Sequence, residues 1–327
     1  MMKQKEIKHT IETIKKRASD AKRNCLFDGC LETAINSHLL QKNGIINQIS
    51  ENNQVYQIRS DNYVKEGLEF RLQSIKVAFA FPGFCSQHDN DIFKEIETTD
   101  IQYTDYRTQL LFCYRALMNE KRKKEVIVDW EGRILDSFKL KLYLSPYFLE
   151  MLADHRKGNL LGIKDGNYYE NIFLLNIKDD TLRDFSFMTY ELPKIGLCVS
   201  GVFSYETSKE IIAHNNSYKA EKPLTDIYIN IIPILDKTII IFGCLTIHKE
   251  ICWDYINGFN TGDTKSSLKR ISDLLICQVE NWLCSPTIYK TLLKPKEREI
   301  LDLVKISLEH ENERRVLQFN IFENLLN

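Results

Sequence analysis

Cysteine and histidine recur at two short, widely separated spacings, Cys25-x4-Cys30 and Cys85-x2-His88. Zinc takes four ligands in a tetrahedron, from thiolate sulfur and imidazole nitrogen, and two close pairs far apart in sequence meet that need. Each pair forms a tight chelate, and the metal then closes the loop between them. Turn formers stand where such chelates require them. Asp28-Gly29 lies inside the first pair and Pro82-Gly83 precedes the second. A helix is predicted to start near His88, with Ile92, Phe93 and Ile96 on one side. The chain is therefore expected to fold residues 25–30 and 85–88 around one Zn2+ held by Cys25, Cys30, Cys85 and His88. His38 lies between the pairs and is either an alternative ligand or a residue beside the zinc. The competing reading is a set of buried thiols and a hydrogen-bonded histidine, because free cysteine is among the most buried residue types.

Bulk properties narrow the setting. Nine cysteines, an odd number, argue against a disulfide framework. Residues 1–23 are charged and carry no apolar segment of the secretory kind, and no stretch of about 18 apolar residues occurs. A cytoplasmic protein with reduced thiols and no membrane partner is the expectation. Cys113, Cys198, Cys244, Cys252, Cys277 and Cys284 lie in apolar runs and are expected in the core. With 44 Lys and Arg against 45 Asp and Glu, the net charge is −1. Nucleic-acid binding would then have to come from a local patch.

Length predicts about two domains for 327 residues. Residues 2–22 read as a basic helix with Ile7, Ile11, Ile14 and Ala18 at helical spacing, either a solvated face or a phosphate-contacting arm. Ala34–Ser50 is predicted helical in part, Gln54–Tyr63 a short strand, and Ile75–Phe81 extended. Tyr103–Lys124 is a stronger helix and ends in Lys121-Arg122-Lys123-Lys124. That run suits either the negative end of a helix dipole or, with the first helix, a nucleic-acid surface. Leu135–Asp154 reads as further helix, broken at Ser145-Pro146. Short apolar runs then alternate with turns: Ile172–Ile177, Phe185–Leu192, Gly196–Phe203, Asp226–Ile232 and Thr238–Ile247. Ile227–Leu235 and Thr238–Ile247 meet at Asp236-Lys237 as a hairpin. Ser266–Trp282 is helical, and Pro295 opens a last helix. The fold class is α+β: a mostly helical Cys/His-bearing segment over 1–125, then an antiparallel-sheet domain with flanking helices over 126–327.

The order Cys25-x4-Cys30, Ser37-His38, Cys85-x2-His88-Asp89 resembles the zinc-stabilised HNH endonucleases of the ββα-metal, treble-clef type. The likeness covers residues 24–97 and makes that segment a treble-clef-like zinc module. It implies His38 as the general base that activates water, Asp89 as a ligand of a catalytic Mg2+ or Mn2+, and Asn43 or Asn47 as the orienting residue. It also implies DNA or RNA as partner, and a setting in bacterial defence or a mobile element. Three departures stand out: Ser37 replaces an acidic ligand, His88 replaces a cysteine, and 46 residues separate His38 from Cys85. Ser37–Lys42 and Phe84–Phe93 also resemble an uncharacterised group of bacterial proteins, which supplies no activity. Cleaving a phosphodiester needs a base for water and a cation for the leaving oxygen. A lone Asp holds Mg2+ only if substrate phosphate completes the shell.

Two functions follow as expectations: a nucleic-acid-associated, zinc-binding protein with HNH-like nuclease chemistry, or a non-enzymatic structural-zinc protein whose α+β part senses or binds a protein. A third, a small-molecule site within residues 160–260, would require a deep polar pocket there. His155, His214 and His248, with Asp154, Glu206, Asp226 and Asp254, supply groups for it, but no motif joins them. No P-loop, Rossmann fingerprint, G-x-S-x-G or H-E-x-x-H occurs.

Overall fold

The computed structural model describes residues 4–60, 67–206, 208–216, 222–309, 316–323 and 325. Helix α1 (Gln4–Ser19) leads to strands β1 (Asn36–His38), β2 (Gln54–Ser60), β3 (Leu68–Ser74) and β4 (Ala80–Pro82). Helices α2 (Ser86–Phe93), α3 (Tyr106–Asp136), α4 (Phe138–Lys141) and α5 (Pro146–Lys178) follow. Next come β5 (Phe185–Pro193), β6 (Leu197–Ser204), α6 (Ser208–Asn216), β7 (Asp226–Ile234) and β8 (Lys237–Leu245). The chain finishes with α7 (Lys249–Ile256), α8 (Thr264–Cys277), β9 (Trp282–Cys284), α9 (Pro286–Ile288) and α10 (Glu297–Glu309).

The expected antiparallel sheet with flanking helices is present. Seven strands run in the order β3-β2-β9-β6-β7-β8-β5, every neighbouring pair antiparallel. Strict alternation along β7 feeds two cores. Ile227, Ile229 and Ile231 face one core with α7 and α8, while Tyr228 and Ile232 face the other with α3 and α5. Helices thus cover both faces. The hairpin closes one residue earlier than expected, with Ile234 pairing Lys237 across Leu235-Asp236. Leu235 takes a positive φ of 36° at the exposed tip.

Several local expectations change. Helix α3 does not stop near Lys124 but runs unbroken to Asp136, started by Asp105, whose side chain accepts from the Thr108 amide. The boundary expected after residue 125 falls inside this helix. Strands β2 and β3, from before that point, extend the same sheet as β5 to β9. The first 125 residues also carry four strands and are less helical than expected. Ala34–Ser50 contributes β1 and one 3-10 turn (Ile46–Ile49), and Ile75–Phe81 is mostly turn before β4. The run Ile172–Ile177 closes α5 rather than forming a strand, because short apolar runs fit either element by pattern alone. Pro146 interrupts helix as expected, by starting α5 at a first-turn position capped by Ser145. On α1, Ala18 is buried with Trp130 and Ile134, and Ile7, Ile11 and Ile14 pack against them.

Candidate metal centre

The first thiol pair sits on a tight knuckle. Asn24 bridges Thr33, the Cys25 amide donates to Glu32 O at 2.8 Å, and the Cys30 amide donates to Phe27 O at 3.0 Å. Gly29 has φ +72°, a left-handed conformation that glycine adopts without a Cβ clash. The second pair is brought in by backbone pairing. Strand β1 pairs antiparallel with β4, Leu26 N donates to Gly83 O at 3.0 Å, and Ile35 N donates to Phe84 O at 2.7 Å. Pro82-Gly83 then turns the chain so that Cys85 stands at the N-cap position of α2.

These contacts gather the four predicted ligands. Their ligand atoms all lie within 4.8 Å of one another. His88 Nδ1 is 3.3 Å from Cys85 Sγ and 3.5 Å from Cys25 Sγ, and Cys30 Sγ is 4.0 Å from Cys85 Sγ. Zn–S bonds of about 2.3 Å and Zn–N bonds of about 2.05 Å give tetrahedral edges of roughly 3.8 Å between sulfurs and 3.5 Å between sulfur and nitrogen. The cluster has the size of such a tetrahedron. It is no disulfide, since all nine cysteines are free and 4.0 Å is far beyond an S–S bond. The His88 ring stacks on Phe27 at 4.0 Å, which fixes its plane and turns Nδ1 inward.

Local fields divide the thiols. The His88 amide at the head of α2 lowers the Cys85 pKa below the ordinary thiol value, a helix-terminus effect that favours thiolate. Burial pushes Cys25 up to about 11. Two buried thiols and a third half-buried one stand beside an imidazole, and a divalent ion bound there would displace any proton they carry. The other six cysteines are buried, as expected.

The residues assigned to catalysis by resemblance occupy other environments. His38 ends β1, half-buried, with Nε2 3.2 Å from Ile75 O, and burial lowers its pKa. Asp89 Oδ1 lies 3.5 Å from Arg115 Nη2. Arg115 is itself buried, stacks over Phe93 at 4.1 Å and also binds Glu97. Arg115 is thus shared between two carboxylates, with Glu97 the nearer, and Asp89 Oδ1 makes no hydrogen bond with it. Asn43 is exposed, and the Asn47 side chain accepts from Ser50 Oγ at 2.8 Å. Among the described residues, no second group of three or more metal-capable side chains converges.

The basic run lies mid-helix and not at a helix end. Lys121 binds Glu170, and Arg122 pairs with Glu125 at 2.6 Å. Lys123 pairs with Glu120 and Glu280, and Lys124 with Glu120. Arg122 also donates to Asn24 O at 2.6 Å, tying α3 to the knuckle. These cations serve internal contacts.

Fold and site together define a mixed α/β protein carrying a Cys3His cluster of zinc-site dimensions. In comparisons with known proteins, no family model, curated protein or solved structure matches the chain. The likeness to HNH endonucleases therefore rests on the residues named above. No helix among the described residues is long and apolar enough to cross a membrane.

Proposed function

We propose that this chain is a zinc-binding protein in which Cys25, Cys30, Cys85 and His88 hold one structural zinc ion. The observation that carries this is the convergence of four ligand atoms from two turns remote in sequence. Four protein ligands fill a tetrahedron, whereas catalytic zinc sites keep one position open for water. Bound zinc supplies a cross-link here, pinning the knuckle to the head of α2. The knuckle's Leu26 and the adjoining Phe84 and Phe93 share a core with Leu110 and Tyr114 of α3, so the pinned corner buttresses the central helix. A reducing compartment such as the cytoplasm keeps such thiols available.

The non-enzymatic reading, with the sheet part as a sensing or interaction module, is favoured over the nuclease. Asp89 faces Arg115, which it shares with Glu97, and the basic run 121–124 is spent on carboxylates. The nuclease reading keeps one point of support: His38 stands on β1, the strand paired to β4, whose end leads into Cys85. The defence setting belongs to that second reading alone.

Metal analysis of the purified full chain tests the proposal. About one zinc per chain is expected, with loss of the metal in Cys25→Ser and Cys85→Ser. Wild-type protein holding no zinc would overturn it. Incubation with DNA and RNA in Mg2+, Mn2+ or Ni2+ separates the two readings. No cleavage is expected. Cleavage that disappears in His38→Ala while zinc content stays unchanged would establish the nuclease instead.

A further inference from the structure

The two faces of the β6–β7 ladder differ sharply in chemistry. One face presents Val199, Phe203, Ile227, Ile229 and Ile231 to an apolar core. The face toward α3 and α5 presents the rungs Ser204–Asp226, Val202–Tyr228 and Ser200–Asn230. A sheet face that only packs against helices is apolar. This one is polar at five of six positions, and Ser200, Tyr228 and Asn230 are fully buried. Ser200 Oγ, the Tyr228 hydroxyl and Asn230 Oδ1 have no hydrogen-bond partner in the protein. Buried polar atoms are nearly always satisfied, by protein, water or ligand.

Of these three, Ser200 lines a cleft of about 350 Å3, at the lower end of the range for small-molecule sites. Its walls include Ser200, Ser204 and Asp226 from the sheet, Lys123 and Lys124 from α3, and Asp165 from α5. Gly162 of α5 lets the Lys124 stem lie against the helix backbone; a Cβ there would stand 2.7 Å from Lys124 Cε. The cations are all matched. Lys123 and Lys124 share Glu120, Lys123 also meets Glu280, and His214 Nε2 is 3.1 Å from Asp165. One acid of the wall is not. Among the described residues, Asp226 has the Ser204 hydroxyl at 3.5 Å and no basic partner within 4.0 Å, although the Lys124 charge acts on it from further off. Burial and the nearby Glu206 charge accordingly push Asp226 well above the ordinary carboxylate value.

We propose that this cleft binds a small organic cation, an aliphatic diamine or polyamine of metabolite size, whose ammonium group seats against Asp226 and the Ser204 hydroxyl while its chain runs along β6 toward the Ser200 hydroxyl, four residues or about 13 Å further on. An anion would have to displace a glutamate from an existing lysine pair. A metal ion does not suit the site, because no three of its carboxylates and imidazoles converge to coordination distance. The ammonium group donates to Asp226 and supplies a counter-charge there, and a second nitrogen further along the chain reaches the unpartnered Ser200 hydroxyl. The site lies on the sheet and α3, apart from the Cys/His cluster, and stands whether or not that cluster holds zinc.

Calorimetric titration of the purified full chain with putrescine, agmatine and spermidine at low ionic strength tests the proposal. Succinate and inorganic phosphate serve as anionic counter-probes. Saturable one-site binding of at least one amine is expected, with no binding of either anion. Asp226→Asn keeps the shape and removes the charge, so affinity falls by about tenfold or more. Ser200→Ala removes a hydroxyl that has no partner in the protein, so it folds normally and weakens binding several-fold. No binding of any of the three amines, binding of an anion instead, or equal amine affinity in Asp226→Asn would each overturn the proposal. If Asp226→Asn fails to fold, Ser204→Ala probes the same contact, and unchanged amine affinity in both serine variants overturns it.

Discussion

Replacing Cys85 with serine isolates the contribution of the proposed zinc to stability. Cys85 is a proposed ligand and also occupies the N-cap position of α2, with φ −71° and ψ 165° and no side-chain capping hydrogen bond. Serine is among the best N-cap residues, so Cys85→Ser preserves the helix start while removing a zinc ligand. A zinc bond between Cys30 and Cys85 closes a loop of 55 residues. Treated as a covalent cross-link, that closure is worth about 4 kcal/mol of unfolded-state entropy. Domains of ordinary stability have about 5–15 kcal/mol in all. At roughly 2.1 cal/mol/K per residue, unfolding all 327 residues together, a loss of this size lowers Tm by about 6 °C. The fold itself should survive, since Leu39, Ile46, Phe84 and Phe93 remain in one core with α3. Calorimetry of zinc-loaded wild type and Cys85→Ser, with zinc content measured on the same samples, gives the comparison. Cys85→Ala should lose about 1 kcal/mol more than Cys85→Ser, the value of the cap. If Cys85→Ser sheds its zinc yet melts with the wild type and resists protease equally over residues 24–97, the cross-link argument fails.

Three further outcomes are expected. Arg115→Met leaves Asp89 and Glu97 without their counter-charge and should destabilise by on the order of 3 kcal/mol in urea titration, with zinc content unchanged. Gly243→Ala places a Cβ 2.8 Å from the Phe187 ring and 3.2 Å from Cys113 Sγ inside the sheet, which should cost about 1–3 kcal/mol by the same assay. Burial tends to raise Glu120, but Lys123 and Lys124 outweigh it and hold its pKa below the ordinary carboxylate value. A depressed carboxylate stabilises fully above its unfolded value of 4.5 and loses that contribution as pH falls through the folded value. The urea midpoints of wild type and Glu120→Gln should therefore differ at neutral pH and converge as pH drops below 4.5. A constant gap across that range would show that the lysine pairing is not linked to folding.

The metal-capable cluster was legible because chelation is encoded locally: two ligands per turn, with Asp28-Gly29 and Pro82-Gly83 at the bends. Strands β5 to β8 were legible for a similar reason, since apolar runs of strand length bounded by turns carry their own signature. The course of α3 past residue 125 was not. Lys121-Arg122-Lys123-Lys124 looks like a helix end until Glu170 and Glu280, distant in sequence and outside α3, are placed around it. The same holds for Asp89, whose sequence neighbours suit a cation ligand but whose spatial neighbour is Arg115.

Alternation along Asp226–Ile232 also held information that periodicity by itself does not resolve. Polar side chains at 226, 228 and 230 and isoleucines at 227, 229 and 231 look like a solvent face and a core face. Only helices α3 and α5, laid over the polar side, turn it into a largely buried surface beside a cleft. Local spacing thus determined which residues meet across a turn and which alternate along a strand. What covers a face, and which charges lie within 4 Å of one another, depends on contacts between segments a hundred residues apart. Those are settled by packing the whole chain, because burial and Coulomb energy act on distance in space and are blind to distance along the sequence.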